Sequence, residues 1–296
     1  MPKKIIPFPG RLGSIPSEII KKAVSAALEE DLGAAGDITS LYTLTGPGNQ
    51  GGSVLRAEVI AKEDGIVCGI GIFMSVYREI DPDLAFKIFI EDGQNVSRGG
   101  IIAEITGNSS SITTGERTAL NFLGLLSGIS TNVNNLASLV RGTGLKILDT
   151  RKTLPGLRIF QKYAVAVGGG WNHRMGLFDM VLIKDNHIAA AGGIENAVGK
   201  ARSRGGPGIV IEVEAGSLEE ARIALGTSAD IVMLDNMDNS DVKAAAALLK
   251  NDKYIEVSGN IGRDRLAELA EIGVDFVSMG SLTHTVRPLD LSLLIR

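Results

Sequence analysis

Short apolar runs recur along the second half of the chain, and each ends in a polar or small residue. They span residues 146–149, 181–184, 209–214, 231–235, 254–258 and 276–280. The later runs recur roughly every 22 residues, with amphipathic segments at 218–225, 242–249 and 265–271 between them. This strand–turn–helix repeat predicts an α/β barrel with reactive groups at the carboxyl ends of its strands. Six units in about 140 residues are too few for a closed eight-stranded barrel of about 250 residues, so we expect an open, incomplete barrel. A doubly wound sheet with the same period is the alternative.

The first half has a different pattern. A helix is expected from a cap at Ser17 to a stop at Gly33, followed by a loop at 46–52 and strands at 54–61, 86–91 and 101–106. This pattern predicts an N-terminal α+β domain over residues 1–125 and the open barrel over 126–284, with residues 285–296 packing back on the first domain.

A capping box at residues 113–116 predicts that a helix begins there. Arg117 would then lie in the first turn, where the helix dipole disfavours a cation. Its expected position suggests that Arg117 binds an anion.

Composition narrows the class of protein. The chain has 296 residues, of which 44% are hydrophobic, enough for a sizeable core. A net charge of −4 without a dense basic tract argues against nucleic acid as the main partner. The single cysteine, Cys68, excludes an internal disulfide. No apolar run approaches a membrane span of about 20 residues, and the apolar run at the start is too short for a signal peptide, so a cytoplasmic location is predicted.

A basic cluster interrupts this acidic chain between residues 149 and 187. It contains Arg151, Lys152, Arg158, Lys162, Arg174 and Lys184, together with glycines at 168–170. Cations beside a glycine-rich turn are typical of an anion site. The alternative is an ordinary helix stop beside a solvated basic face.

Charged residues also close several of the apolar runs. Lys184, Glu214 and Asp235 need partners there, because a buried charge is unfavourable unless it is paired or hydrogen-bonded. The two carboxylates suit ribose hydroxyls or a phosphate-bound Mg²⁺. Ser258–Gly259 and Gly280 suit a phosphate, and Arg151 and Arg174 can each grip a carboxylate. Together these features predict a phosphorylated sugar and an acidic co-substrate.

Four ordered motifs carry a family resemblance. They are Asp149-Thr-Arg-Lys-Thr-Leu-Pro-Gly; Lys162-Tyr-Ala-Val with Gly168-Gly-Gly and Asn172-His-Arg-Met-Gly-Leu; Leu182-Ile-Lys-Asp-Asn-His-Ile; and Leu282-Thr-His. With these motifs the chain resembles quinolinate phosphoribosyltransferases over nearly its whole length. The resemblance implies an open α/β barrel, Mg²⁺, and a homodimer whose active sites are shared between subunits. It also implies transfer of the phosphoribosyl group of phosphoribosyl pyrophosphate to quinolinate with decarboxylation.

The resemblance assigns roles position by position. It implies that Arg117 reaches the neighbouring subunit's site. Lys152 and Lys184 are expected to lie between the two substrates, and Glu214 and Asp235 are expected to contact the ribose and the metal. These last four residues form the expected catalytic set. The resemblance also implies that Arg151, His173 and Arg174 bind quinolinate. Further substrate contacts are expected from Thr150, Ser258, Gly259, Asn260, Gly280 and His284. Where the family often has Ser-Gly-Gly, this chain has Asn260, a residue that tolerates positive φ.

Three other functions remain open at this point. A paralogue encoded near molybdate-transport components would share many motifs but use another substrate. Lys184 could instead be a Schiff-base lysine of a barrel aldolase. A non-catalytic sugar-phosphate-binding protein would bind without turnover.

Overall fold

The computed structural model describes residues 3, 5–44 and 53–296, so the predicted loop at 46–52 lies outside the described residues. In chain order its elements are α1 (Ser17–Leu32), α2 (Ile38–Thr43), β1 (Val54–Ala61), β2 (Gly65–Ile66), α3 (Ile70–Ile80), β3 (Ala85–Ile88), β4 (Asn95–Val96), β5 (Ile101–Asn108), α4 (Ser109–Leu139), β6 (Lys146–Leu148), α5 (Arg158–Val167), β7 (Val181–Ile183), α6 (Asp185–Ala191), α7 (Ile194–Gly205), β8 (Ile211–Ala215), α8 (Leu218–Leu225), β9 (Ile231–Asp235), α9 (Asn239–Leu249), β10 (Tyr254–Ser258), α10 (Arg263–Ile272), β11 (Phe276–Ser278), α11 (Ser281–His284) and β12 (Leu291–Ile295).

The chain forms two compact units. Over their described residues, the barrel unit comprises Met1–Arg11, Asn135–Arg158 and Gly170–Thr285, and the α+β unit comprises Leu12–Asn134, Ile159–Gly169 and Val286–Arg296. These bounds differ from the predicted domains, because an N-terminal arm belongs to the barrel unit and α5 lies mostly in the α+β unit. Hydrophobic periodicity could not have assigned the arm or α5 to these units, since both assignments depend on contacts between residues far apart in sequence.

The α+β unit is built on an antiparallel sheet in the order β12-β1-β5-β3. Strand β12 pairs with β1 from Ala57 opposite Ile295 to Ala61 opposite Leu291, so the C-terminal segment adds an edge strand here. The predicted strand at 54–61 is confirmed. Helix α1 ends at Gly33 as predicted, but it is preceded by Pro16, and Ser17 is its first helical residue.

The predicted start of the long helix is wrong. Helix α4 begins at Ser109, because the side chain of Asn108 accepts hydrogen bonds from the backbone N–H groups of Ser110 (2.8 Å) and Ser111 (3.2 Å). Asparagine is among the preferred N-cap residues, and this cap precedes the capping-box sequence by one turn. Arg117 therefore lies in the third turn, and the argument from the helix dipole no longer applies to it.

The barrel unit is organised around a six-stranded, all-parallel sheet in the order β6-β11-β10-β9-β8-β7. Strands β7 to β11 follow one another in space as in sequence, and β6 lies beside β11. Within the described residues β6 and β7 do not pair, so the barrel is open, as predicted. The strands 231–235 and 254–258 and the helix 218–225 have the predicted bounds.

The N-terminal arm packs on the apolar core of this unit. Ile6 and Phe8 lie against a cluster of buried residues that includes Leu148, Ile231 and Phe276. The ring of Phe8 meets that of Phe276 edge-on, with centroids 5.5 Å apart. Since apolar burial is worth about 25 cal/mol per Å², the arm contributes to the stability of the barrel unit.

None of the helices in the described part of the chain is long and apolar enough to cross a membrane.

Candidate active site

A large open cavity, with a volume of about 1290 Å³, lies at the carboxyl ends of the parallel strands. Apart from Arg117, every site residue expected from the sequence lines it. These residues are Thr150, Arg151, Lys152, His173, Arg174, Lys184, Glu214, Asp235, Ser258, Gly259, Asn260, Gly280 and His284.

Strand register explains this convergence. Ser258 at the end of β10 is aligned with Asp235 on β9 and with Ser278 on β11. Glu214 lies on β8 opposite Met233. Because neighbouring parallel strands run in the same direction, the residues that close them meet at one edge of the sheet. Residues that are about 22 positions apart in sequence therefore lie side by side along one rim of the cavity.

Two guanidinium groups mark one part of the cavity. Arg174 is 8% exposed, and its Nη1 donates to the carbonyl of Met180 at 3.3 Å. Burial lowers the pKa of Arg174, and the positive charge of Arg151 lowers it further. Two cations held near one another in a partly desolvated site favour an anionic ligand, and each guanidinium can bind a carboxylate through two hydrogen bonds.

An ion pair joins the ends of two neighbouring strands. Lys184, which follows β7, contacts Glu214 of β8 through Nζ and Oε1. The side chain of Lys184 is 46% exposed and that of Glu214 is 12% exposed. The backbone N–H of Lys184 donates to Nδ1 of His187 at 3.0 Å, which fixes the turn into α6. A substrate entering this cavity therefore meets a cation and an anion in contact with each other.

The turn after β10 contains two consecutive residues with positive φ. Gly259 and Asn260 have φ values of +92° and +51°. A Cβ atom on Gly259 would lie 2.1 Å from Oδ1 of Asn236, so only glycine fits there. Asn260 adopts the left-handed conformation that asparagine tolerates better than most residues. The asparagine that replaces the usual glycine is thus compatible with the turn.

Lys152 approaches the same region from the turn after β6. A Cβ atom on Gly280 would lie 2.8 Å from Cδ of Lys152 and 3.2 Å from Nε2 of His284. The side chain of Thr283 donates to the carbonyl of Lys152 at 2.8 Å. The absence of a side chain at Gly280 therefore leaves room for an ammonium group beside backbone that can bind phosphate.

Other members of the basic cluster do not line the cavity. Helix α5 ends at Val167, and a Cβ atom on Gly168 would lie 2.5 Å from the carbonyl oxygen of Ser130 on α4. Gly168 is thus a helix stop that allows close packing, the alternative considered for the glycine run. Lys162 is fully buried on α5, and Arg158 donates to Thr153 and to the carbonyl of Met175.

A buried polar layer lies beneath the rim. Asp149, Glu212 and Glu256 are all fully buried. Burial raises the pKa of Glu212 and of Glu256, and a neighbouring negative charge raises each pKa further: that of Glu214 acts on Glu212, and that of Glu212 acts on Glu256. Nε2 of His173 lies 3.1 Å from Oε2 of Glu212 and 3.6 Å from Oε1 of Glu256.

Neither the periodicity nor the motifs of the sequence pointed to this layer. Glu212 and Glu256 each stand two residues before a predicted site residue, Glu214 or Ser258. Since successive side chains on a strand point to opposite faces, residues two apart share a face. This spacing is the signal that could have placed both glutamates inside the barrel. Asn236 was missed too: it has φ +55° and donates to Oδ2 of Asp235 at 2.8 Å.

Arg117 lies elsewhere in the chain, on α4 in the α+β unit, and its side chain is exposed.

Comparison with known proteins identifies the family of this chain. The family models for the N- and C-terminal domains of quinolinate phosphoribosyl transferase match residues 37–127 and 129–294. The chain belongs to the quinolinate phosphoribosyltransferase family. A probable nicotinate-nucleotide pyrophosphorylase of Bacillus subtilis is 39% identical over 274 residues, which are 93% of this chain and 92% of that protein.

Two further members of this family illustrate its breadth. A mitochondrial quinolinate phosphoribosyltransferase of Nicotiana tabacum is 39% identical over 298 residues, covering 95% of this chain and 83% of that one. The structure of the nicotinate-nucleotide pyrophosphorylase of Francisella tularensis superposes with a TM-score of 0.90 at 41% identity, covering 97% of this chain and 99% of that one. The family resemblance found in the motifs is therefore confirmed over nearly the whole chain.

Proposed function

We propose that the cavity of the barrel unit binds quinolinate and phosphoribosyl pyrophosphate side by side and joins them. The chain is a pentosyltransferase of pyridine nucleotide biosynthesis, which converts quinolinate to nicotinate mononucleotide with release of pyrophosphate and CO₂. One observation supports placing this reaction here: the guanidinium groups of Arg151 and Arg174, the Lys184–Glu214 pair and the glycine turns at Gly259 and Gly280 line one cavity. Each substrate charge thereby has a partner of opposite sign or a backbone donor.

Quinolinate binds beside Arg151 and Arg174 in this proposal. Its two carboxylates would offset the repulsion between the guanidinium groups and the cost of burying Arg174. Hydrogen bonds to charged groups contribute about 1.5–3 kcal/mol each, so a ligand that lacks one of the two carboxylates should bind much more weakly than quinolinate.

Phosphoribosyl pyrophosphate binds across the remaining rim. The 5′-phosphate suits the backbone N–H groups near Gly259 and Gly280, which no side chain at either position screens. Asp235 and Glu214 suit ribose hydroxyls, and Lys152 and Lys184 suit the phosphates. This arrangement directs C1 of the ribose toward the quinolinate nitrogen.

Mg²⁺ fits the same carboxylates. This ion usually takes one or two carboxylates together with substrate phosphate oxygens. Glu214 and Asp235 face the cavity, but Glu214 already pairs with Lys184 and Asp235 accepts from Asn236, so most metal ligands would come from pyrophosphate. When bound, the ion would neutralise charge on the leaving pyrophosphate.

The protein itself contributes mainly electrostatics. As pyrophosphate leaves, C1 gains cationic character, which Glu214 and Asp235 stabilise, while Lys152 and Lys184 stabilise the leaving charge. The quinolinate nitrogen then bonds to C1. When CO₂ leaves, the electron pair of the broken C–C bond stays on the ring carbon, where the adjacent pyridinium nitrogen stabilises it until the carbon takes up a proton from solvent in the open cavity. Little dedicated acid or base machinery is therefore needed.

The proposal includes a homodimer in which Arg117 completes the partner's site. Exposure of Arg117 on α4 and the family resemblance support this role. In a two-fold dimer each site would combine Arg117 of one subunit with Lys184 of the other. Arg117→Ala and Lys184→Ala homodimers should both be nearly inactive, whereas hybrids after random exchange have one intact site.

Half of the exchanged dimers are hybrids, so mixing should restore about a quarter of wild-type activity if sites act independently. Mass measurement confirms that hybrids have formed. If activity stays at the level of the separate variants although hybrids are present, Arg117 and Lys184 belong to the same chain's site.

A cytoplasmic location stays a prediction, since relatives include mitochondrial and chloroplastic proteins.

The proposed reaction is tested by incubating the protein with quinolinate, phosphoribosyl pyrophosphate and Mg²⁺, and by measuring nicotinate mononucleotide and ¹⁴CO₂ from carboxyl-labelled quinolinate. Equal amounts of both products are expected. Reactions without phosphoribosyl pyrophosphate and reactions with Lys184→Ala are the controls. Absence of nucleotide under saturating substrates would refute the assignment.

A further inference from the structure

In the buried layer beneath the rim, carboxyl groups from two different strands face the side chain of His173. Glu212 of β8 and Glu256 of β10 both point at its Nε2, at 3.1 Å and 3.6 Å. The side chain of His173 is 5% exposed, and both carboxyls are fully buried. Placing two carboxyls in the interior is costly compared with apolar residues of similar size. Two buried carboxyls that converge on one imidazole therefore call for a role.

The opposite side of the imidazole is fixed as well. Nδ1 of His173 accepts the backbone N–H of Arg174 at 2.7 Å. A ring nitrogen that accepts a hydrogen bond carries no proton, so the neutral ring has its proton on Nε2, facing the glutamates. The ring of Phe8 packs edge-on at a centroid distance of 5.1 Å. These contacts define both the orientation and the tautomer of His173.

The orientation of the imidazole ring also helps to fix the backbone position of Arg174. Asp149 accepts the side-chain amide of Asn172 at 2.7 Å and the backbone N–H of His173 at 2.8 Å. The next backbone N–H, that of Arg174, binds the imidazole itself. The backbone leading to Arg174 is thus held at three consecutive residues by groups within the buried layer. A rotation of the imidazole would release the last of these contacts.

We propose that the Glu212–Glu256 pair is a positioning element of the quinolinate site, which holds the His173 ring so that Arg174 presents its guanidinium to a substrate carboxylate. The carboxyls do not touch substrate in this proposal. They face the Nε2 side of the ring at 3.1 Å and 3.6 Å, the ring accepts the Arg174 N–H, and Arg174 binds quinolinate. The last link rests on the proposed function, whereas the first two are independent of it.

The tautomer is the first test, and it needs no variant of the glutamates. The chain has three histidines, so ring ¹⁵N spectra of histidine-labelled protein can be assigned with His187→Gln and His284→Gln. His173 should show a protonated Nε2 and an unprotonated Nδ1. A proton on Nδ1 would contradict the proposal, because Arg174 could then not donate to it. A metal ion bound in stoichiometric amount and shifting Nε2 would also overturn it.

Kinetics of Glu256 variants provide the second test. Glu256→Met removes both acceptor oxygens at similar volume, and it should raise the quinolinate KM at least about tenfold and shift the ring spectrum. The KM for phosphoribosyl pyrophosphate should change less than about twofold, since its binding groups lie elsewhere on the rim. Glu256→Gln keeps an acceptor oxygen and should restore the quinolinate KM to nearly the wild-type value.

Val257→Ala is the matched control, because Val257 is fully buried on the same strand and faces the other side. It should lower stability without changing the quinolinate KM. Equal rises of both KM values in Glu256→Met, or no rescue by Glu256→Gln, would reduce the pair to a purely structural role. If the wild-type ring has the expected tautomer but the protein does not convert quinolinate, the proposed function fails and the buried arrangement stands.

Discussion

Glu212 and Glu214 lie two residues apart on the same strand and face the same side, yet their surroundings differ. Glu214 reaches the rim, where its side chain is 12% exposed and pairs with Lys184. Glu212 lies one layer deeper, fully buried beside His173 and Glu256. The rim carboxylate can meet solvent, metal or substrate, whereas the deeper carboxyl can meet only protein. Depth along one strand therefore distinguishes a carboxylate that faces the cavity from one that only protein groups surround.

The largest effect is expected at the rim. Lys184→Ala should lower kcat at least about a hundredfold, because it removes a cation placed to meet charge that develops during transfer. The free energy of unfolding should change by no more than about 1 kcal/mol, since the side chain is half exposed. Lys243→Ala, an exposed lysine on α9, is the control. Near-normal turnover of Lys184→Ala would remove Lys184 from the catalytic set.

Substrate selectivity should be the next largest effect. Quinolinate should be preferred over nicotinate at least about a hundredfold in kcat/KM, because nicotinate would leave one of Arg151 and Arg174 unpaired in a partly desolvated site. Steady-state kinetics with both acids measure this ratio. Comparable values would show that the two guanidinium groups do not bind the two carboxylates together.

The buried layer should produce a smaller effect, on stability. Folding raises the pKa of Glu212 and Glu256 from an ordinary value of 4.5 to about 8, so the folded state keeps protons that the unfolded state releases. Raising the pH through this interval should therefore lower the free energy of unfolding. Urea midpoints at about pH 6 and about pH 8 measure the slope. A midpoint that rises over this range would contradict the assignment of raised pKa values.

The smallest effect is expected at the phosphate-binding turn. Asn260 has φ +51°, a conformation that glycine adopts freely, so Asn260→Gly should change the KM for phosphoribosyl pyrophosphate less than about threefold. Asn260→Val should raise that KM more, since a β-branched residue is strained at positive φ. Equal values for the two variants would show that this backbone conformation does not influence phosphate binding.

Periodicity and motifs predicted much of the barrel unit. Alternating apolar runs and helical segments specified its strands, because each parallel strand is buried locally and its end is marked by a polar residue. The rim was predictable because carboxyl ends of parallel strands meet at one edge, so Lys184, Glu214 and Asp235 converge without knowledge of the loops.

The remaining features depend on contacts distant in sequence. Glu212 and Glu256 stand within apolar runs, and only the fold shows that His173 supplies their common partner. The start of α4 was misplaced because Asn108 and Thr113 are both good capping residues, and the structure selects the earlier one. The arm at Ile6 and Phe8 has no periodic pattern that would assign it to the barrel unit.

The separation between rim and buried layer is tested most directly by Glu214→Gln and Glu212→Gln, prepared and measured in parallel. Glu214→Gln should lower kcat at least about tenfold, with the wild-type dependence of the urea midpoint on pH, because it loses the charge that pairs with Lys184. Glu212→Gln should keep kcat within about threefold of wild type but show a weaker pH dependence of stability. The opposite pattern, with turnover lost in Glu212→Gln and retained in Glu214→Gln, would contradict the division of roles between the two layers.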